Sequence, residues 1–171
     1  IPWQPSNNGI VVYSEEGVQV TNFGIANKKG EQLVINSTAD TLNAPIRIQA
    51  QNIQIGPLVT MVLQDSTLAK GTLNTDMRIR NYMGDHLIFG GSLDVKDLHF
   101  TQIPLGDLSI RATNRDETRI QMLSTLKSEN NDLTISGNYL PAEKKPLDLK
   151  IDIKKLAAKT IEAFSFGELT Q

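Results

Sequence analysis

Apolar residues recur at every second position along most of this chain of 171 residues. That spacing places alternate side chains on opposite faces of a β-strand, so it predicts strands with one apolar and one polar face. The pattern is clearest at positions 147–154, where Leu or Ile alternates with Asp or Lys. A one-residue slip at Lys96-Asp97, between Val95 and Leu98, predicts a β-bulge.

Turn-forming residues, such as Gly56-Pro57 and Gly84-Asp85, separate the alternating runs. Short connections of this kind join antiparallel strands, so we expect a mainly all-β fold of about ten or eleven strands. One helix is predicted, over 156–164, because Leu156, Ile161 and Phe164 share one side. Gly167 suits the C-terminal end of that helix.

By its pattern, the chain is a single domain with three portions. Residues 45–155 carry repeated strands, 156–164 the helix, and 1–44 are expected to form an irregular or edge portion. Short pieces that combine Gly with an apolar residue recur roughly fifteen to thirty residues apart, which is typical of repeat architectures. Since the chain starts at Ile1 without the features of a signal peptide, we expect a segment of a larger protein.

Charge and cysteine content exclude several classes of function. The chain has 17 Lys and Arg residues against 19 Asp and Glu residues, so it lacks the basic excess of a nucleic-acid-binding surface. The absence of Cys excludes disulfides and thiol chemistry. No apolar run approaches the ~18 residues that a membrane-spanning helix needs.

No pattern of catalytic or metal-binding residues is found in the sequence. His86 and His99 do not belong to an H-E-x-x-H pattern, and we expect both to be polar-face strand residues that pair at most with Asp85 and Asp97. A G-x-S-x-G elbow and a glycine-rich phosphate loop are both missing. We therefore predict no enzyme activity, no metal and no cofactor.

The apolar stripe raises the main question about function, because one short helix cannot cover the apolar face of about ten strands. A closed sandwich or barrel would bury that face in a structural core. A sheet curled into a trough would instead leave the face open to a ligand. The alternation by itself is compatible with both arrangements.

Four stretches share a degenerate β-repeat pattern: Gly71–Ile79, Gly91–Phe100, Pro104–Ile110 and Asp132–Tyr139. A closing strand at 147–156 is followed by the predicted helix and by Phe-Ser-Phe-Gly at 164–167. Over about residues 45–171, the chain resembles the C-terminal region of the TamB-type family, which is related to AsmA-like proteins. The first third of the chain does not match the family pattern.

The resemblance implies a β-taco, a long curled antiparallel or mixed sheet around an apolar groove. It implies a large periplasmic protein of a Gram-negative bacterium, anchored in the inner membrane by a helix outside this segment. The implied partners are phospholipid acyl chains and an outer-membrane protein of the Omp85 type, similar to TamA. The implied function is phospholipid transport between the two membranes and outer-membrane protein assembly.

The first hypothesis is therefore a non-enzymatic groove that binds acyl chains along inward-facing side chains. Its candidate lining is apolar throughout: Ile48, Leu73, Met77, Ile79, Leu93, Val95, Leu108, Ile110, Ile120, Met122, Leu133, Ile135, Leu149 and Ile151. Two alternatives stay open. One is an assembly factor that adds an outer-membrane polypeptide as an extra strand, and the other is a closed structural β-repeat module.

Overall fold

A computed structural model describes residues 2–63 and 68–164 of the chain. Within these ranges, a ten-stranded sheet and a two-stranded sheet are accompanied by two short helices. Every pairing between described strands is antiparallel. The predicted mainly β fold is thus confirmed, in its antiparallel form.

The longest strands, β7 to β9, lie in the middle of the chain. Five short strands come first: β1 (Gln4–Pro5), β2 (Ile10–Ser14), β3 (Gly17–Thr21), β4 (Phe23–Ala26) and β5 (Gln32–Ser37). Then come β6 (Ile46–Gln54) and helix α1 (Ile55–Leu63). Six further strands and helix α2 follow: β7 (Ala69–Arg80), β8 (Ile88–Phe100), β9 (Ile103–Asn114), β10 (Ile120–Lys127), β11 (Asp132–Tyr139), β12 (Leu147–Lys155) and α2 (Ala158–Phe164).

The large sheet is an open meander. Its order is β1-β4-β5-β6-β7-β8-β9-β10-β11-β12, so from β4 onwards each strand pairs with the next in sequence. The strands β2 and β3 form a hairpin beside it, where the Val20 N–H donates to Ser37 Oγ at 2.9 Å. Because β1 and β12 lie at opposite ends of the sheet, the described strands do not form the closed sandwich or barrel that was one expectation.

The predicted bulge on β8 is confirmed. The register of β8 against β9 shifts between Val95 and Leu98, and Asp97 has a φ of 51°. A bulge residue in this conformation lets the apolar alternation resume with the opposite parity. Asp107 Oδ1 holds the bulge by accepting from the Asp97 N–H at 3.0 Å.

The first 44 residues, expected to be irregular or an edge, contain five strands. In the large sheet, β5 pairs with β6, β4 with β5, and the two-residue β1 with β4. Tyr82, in the turn between β7 and β8, contacts the hairpin of β2 and β3. Its hydroxyl lies 3.1 Å from the Val18 carbonyl oxygen and 3.2 Å from that of Ala44. Strand β1 is too short for alternation to predict it, and β2 and β5 carry consecutive apolar residues instead of alternating ones.

The helix content is partly mispredicted. The helix expected over 156–164 is confirmed as α2, which begins two residues later, at Ala158. The expectation of only one helix is wrong, because α1 starts where Gly56-Pro57 predicts a turn. Proline is tolerated in the first turn of a helix, where its missing N–H has no partner to lose. Gly167 lies outside the described residues. Neither described helix is long and apolar enough to cross a membrane.

The best-packed part of the molecule lies where α2 meets the sheet. Leu105, Leu126 and Ala163 form a buried cluster there, and Leu105 is only 1% exposed. The buried amide of Asn131 fixes the helix to this cluster. Its Nδ2 donates to the Leu105 carbonyl oxygen at 2.8 Å, and its Oδ1 accepts from the Ala157 N–H at 3.1 Å and from Thr160 Oγ1 at 2.9 Å.

Candidate functional site: an apolar sheet face

Strand register gathers apolar residues of β6 to β12 into rows on one face, because paired residues of neighbouring strands point to the same side. Three rows cross all seven strands. We name them the Val95 row, the Leu93 row and the Met77 row: Ile53-Leu73-Val95-Leu108-Leu126-Leu133-Ile153, Ala50-Thr75-Leu93-Ile110-Ser124-Ile135-Ile151 and Ile48-Met77-Gly91-Ala112-Met122-Gly137-Leu149. The surface that carries these rows is called the apolar face below.

The fourteen predicted lining residues all lie on the apolar face. Twelve belong to the three rows. The other two lie beside the Met77 row on the same face: Ile79 is two residues after Met77 on β7, and Ile120 is two residues before Met122 on β10. They come from seven strands spread over about a hundred residues of sequence, and only the meander brings them together. Their role as the lining of a lipid groove stays a prediction.

The apolar face lacks a complete cover. Val95 is buried, but most of the other predicted lining residues are half-buried, and Leu149 and Ile151 on β12 are 42% and 58% exposed. The chain exposes 11619 Å² in all. A compact protein of 18.9 kDa exposes about 8,300 Å². This excess agrees with a sheet whose apolar side has no second layer.

Helix α2 covers part of the apolar face near β9, and helix α1 contacts β7. Ala163 of α2 packs on Leu105 and Leu126, with Leu108 and Leu133 of the Val95 row beside them. From β9 the rows continue to β12, where all nine residues of the strand are exposed. The apolar face is therefore covered near β9 and open towards β12.

The opposite face, here called the polar face, is stabilised by ion pairs between strands. Arg47 on β6 donates twice to the Asp76 carboxylate of β7, with Nε–Oδ1 at 2.8 Å and Nη2–Oδ2 at 2.5 Å. These hydrogen bonds lower the pKa of Asp76 and raise the pKa of Arg47. Both side chains are more than two-fifths exposed, so water screens the pair.

A second ion pair lies beside the β8 bulge. Lys96 Nζ donates to Asp107 Oδ2 at 2.6 Å, and this bond lowers the pKa of Asp107. The Asp107 carboxylate thus accepts from a lysine and from the bulge N–H at once. The two ion pairs thus link β6 to β7 and β8 to β9 on the polar face.

Two glycines allow neighbouring strands to approach closely at the apolar face. A Cβ on Gly91 would lie 2.7 Å from Met77 Cα, and a Cβ on Gly137 would lie 2.9 Å from Leu149 Cα. On the polar face, a Cβ on Gly90 would meet only the Thr113 side chain, at 3.0 Å. Glycines at such close approaches are typical of bent strands, so they favour a curled sheet.

The two histidines lie apart from each other. His86 lies in the turn after β7, not in a strand as expected, and its Nε2 contacts Glu117 Oε2 rather than Asp85. The predicted pairing of His99 with Asp97 is confirmed, with Nδ1–Oδ1 at 3.7 Å. Among residues 2–63 and 68–164, no group of three or more His, Asp or Glu side chains could hold a metal ion.

The sequence pattern misses some residues of the apolar face, notably Ile53 and Leu126, both of which are buried. Ser124 interrupts the apolar alternation of β10 before Leu126, and a register irregularity after Ala50 displaces Ile53. Continuing the two-residue alternation of β10 past Ser124 would have identified Leu126. Nothing in the local sequence marks the irregularity after Ala50.

The function of this chain has to be inferred from the two faces of its sheet. Comparison of the chain with protein-family models, with curated proteins and with solved structures gives no match.

Proposed function

We propose that this chain is a lipid-binding segment of a periplasmic protein similar to the TamB type, in which the apolar face holds phospholipid acyl chains. The observation that supports the proposal is the continuity of three apolar rows across seven strands, with the β12 end of the rows left exposed. An exposed apolar surface of this extent usually marks a binding site.

The dimensions of the apolar face suit an acyl chain. Six strand spacings of about 4.8 Å separate β6 from β12, so each row is roughly 29 Å long. The hydrocarbon core of a bilayer is about 30 Å thick, so one leaflet contributes about 15 Å of acyl chain. A single row is thus long enough for an acyl chain to lie along it.

The energy of transfer also favours an acyl chain. Each CH₂ group removed from water contributes about 0.8 kcal/mol, so burial of six such groups contributes roughly 5 kcal/mol. The three rows contain no Asp, Glu, Lys, Arg or His residue, so a bound chain displaces no charged group. Headgroups would stay in water at the open β12 side.

The wider role in this proposal comes from the family resemblance. A segment of this kind would carry phospholipid between the inner and outer membranes and support outer-membrane protein assembly with an Omp85-type partner. The full protein would be anchored in the inner membrane by parts outside this segment. Lipid binding by the apolar face is the step that this chain itself must perform.

The test compares Ile135→Asp with Ser136→Asp. Ile135 lies in the Leu93 row, whereas Ser136 points to the polar face beside Lys150. The purified, detergent-free 171-residue protein is extracted with organic solvent, and its lipid is measured by mass spectrometry. We expect several-fold less lipid from Ile135→Asp than from wild type, because a carboxylate on the row must stay hydrated. Ser136→Asp should keep the wild-type amount.

Both variants should retain the β-sheet signal in far-UV circular dichroism, since both side chains are only half-buried. Equal lipid in the wild type and Ile135→Asp, with an intact sheet, would contradict the proposal. So would a wild-type protein that carries no lipid and binds none from vesicles.

The second predicted function, addition of an outer-membrane polypeptide as an extra strand, requires a free sheet edge. The nine exposed residues of β12 supply such an edge and favour this alternative. Crosslinks from β12 to a nascent barrel polypeptide, together with none to lipid, would support it over acyl-chain binding.

A further inference from the structure

Strand β12 is an unusual edge strand. It pairs with β11 on one side and has no partner strand on the other among residues 2–63 and 68–164, and α2 turns away from it to pack on β9. Its four apolar-face residues are all exposed, and three of them by more than half: Leu147, Ile151 and Ile153, with Leu149 at 42%. A long strand with free N–H and C=O groups and exposed apolar side chains is a template for further pairing.

The order of charges along β12 makes the strand complementary to itself. Consider two copies paired antiparallel, with Ile151 opposite Ile151 of the second copy. In that register Lys150 faces Asp152 of the second copy, and Leu149 faces Ile153. The polar face thus gains two Lys–Asp pairs, one on each side of the symmetry axis, and apolar residues meet on the apolar face.

The charges near the ends of the strand are also complementary in this register. Asp148 faces Lys154 of the second copy, next to the register shift that places Lys155 opposite Asp132. All nine residues from Leu147 to Lys155 overlap in this register, and only the terminal Leu147 faces a charged residue, Lys155 of the second copy. Every charged pair that it forms between copies is therefore attractive.

Neighbouring registers are worse for a clear electrostatic reason. When the pairing is centred on Lys150, Lys150 faces Lys150 of the second copy and Asp148 faces Asp152 of the second copy. When it is centred on Asp152, Asp152 faces Asp152 of the second copy and Lys150 faces Lys154 of the second copy. A shift by one residue places apolar side chains opposite charged ones, because the side chains alternate with period two. Registers centred on Leu149 or Ile153 also pair opposite charges, but they overlap only five of the nine residues. Charge, parity and length of overlap together select the Ile151 register.

We propose that β12 pairs antiparallel with β12 of a second copy of this chain, with the two-fold axis at Ile151. Such a contact is isologous, since the same surface of both copies forms it. Because paired residues point to the same side, the dimer joins two ten-stranded sheets and makes their apolar faces continuous. Dimerisation does not require bound lipid, so it can be tested separately from acyl-chain binding.

The first experiment measures the mass of the lipid-extracted 171-residue protein by sedimentation over a range of concentrations. We expect a reversible dimer. Asp152→Lys should weaken dimerisation by roughly tenfold, because two attractive pairs become repulsive. The double variant Lys150→Asp/Asp152→Lys restores opposite charges across the axis and should restore the dimer. Within one copy these positions face Ser136 and Thr134, so the exchange breaks no internal ion pair.

The second experiment determines the register. Ile151→Cys introduces the chain's only thiol next to its symmetry mate, so a short bis-maleimide should crosslink it into a dimer. Leu147→Cys is the matched control, with nearly the same exposure, 59% against 58%. Its symmetry mate lies eight residues away along the strand, roughly 27 Å, so the same reagent should leave it monomeric.

Three results would overturn the proposal. They are a monomer at all concentrations up to the millimolar range, a dimer that Asp152→Lys does not weaken, and crosslinking that is equal at positions 147 and 151. Crosslinking of Ile151→Cys to a different polypeptide instead of a second copy would also overturn it.

Discussion

On strand β9, Leu108 and Ile110 point to the apolar face, whereas Ser109 and Arg111 point to the polar face. The polar face meets water with charged side chains that also pair between strands, as Arg47 and Asp76 do. The apolar face instead leaves hydrocarbon exposed, at a free-energy cost that grows with area. One sheet thus has a charged face that is hydrated and an apolar face that leaves hydrocarbon exposed.

The largest expected effect tests whether the covered part of the apolar face stabilises the fold. Leu105→Ala should lower the free energy of unfolding by about 2–5 kcal/mol, because it leaves a cavity beneath α2. Leu123→Ala, on the polar face and 38% exposed, is the control and should cost less than about 1 kcal/mol. Urea unfolding followed by circular dichroism measures both. Equal losses would show that the two faces are equally important for packing.

An intermediate effect tests the close approach of strands at the apolar face. Gly91→Ala should destabilise the protein by about 1–3 kcal/mol, because its methyl group would meet the β7 backbone. Gly90→Ala, the adjacent control, meets only the Thr113 side chain, which can rotate away. Thermal unfolding of the two variants gives the difference. A Gly90→Ala variant as unstable as Gly91→Ala would argue against strands that bend towards the apolar face.

The smallest expected effect comes from the ion pairs of the polar face. Hydrogen bonds from Arg47 and Lys96 lower the pKa values of Asp76 and Asp107 in the folded protein. Each carboxylate therefore stabilises the fold fully above its unfolded pKa of about 3.9, and this contribution is lost as the pH falls below that value. Unfolding free energy should decline slightly from pH 5 to pH 3.

The control for this pH dependence is Asp76→Asn, which removes one of the two groups. Its unfolding free energy should be less sensitive to acid over the same range. Since no charged residue lies in the three rows of the apolar face, lipid content should stay unchanged between pH 5 and pH 8. Lipid release over that range would mean that the polar face takes part in binding.

The strand pattern could be predicted from sequence because it is local. Alternation at Leu93 and Val95, the slip at Lys96-Asp97 and the clean run of β12 each depend on neighbouring residues only. Helix α1 was missed because its apolar run is too short for periodicity to distinguish a helix from a strand. The buried role of Asn131 was missed because its partners, Leu105 and Thr160, are 26 and 29 residues away in sequence.

The amino-acid sequence by itself determined which side chains share a face, because the β-strand repeats every two residues whatever surrounds it. It also determined the charge order of β12. Only the tertiary structure decided that the sheet stays open, that α2 covers part of the apolar face, and that β12 is an edge. Those features depend on contacts between distant residues, such as Asn131 with α2 and Leu105 with Leu126, whose energies no local pattern encodes.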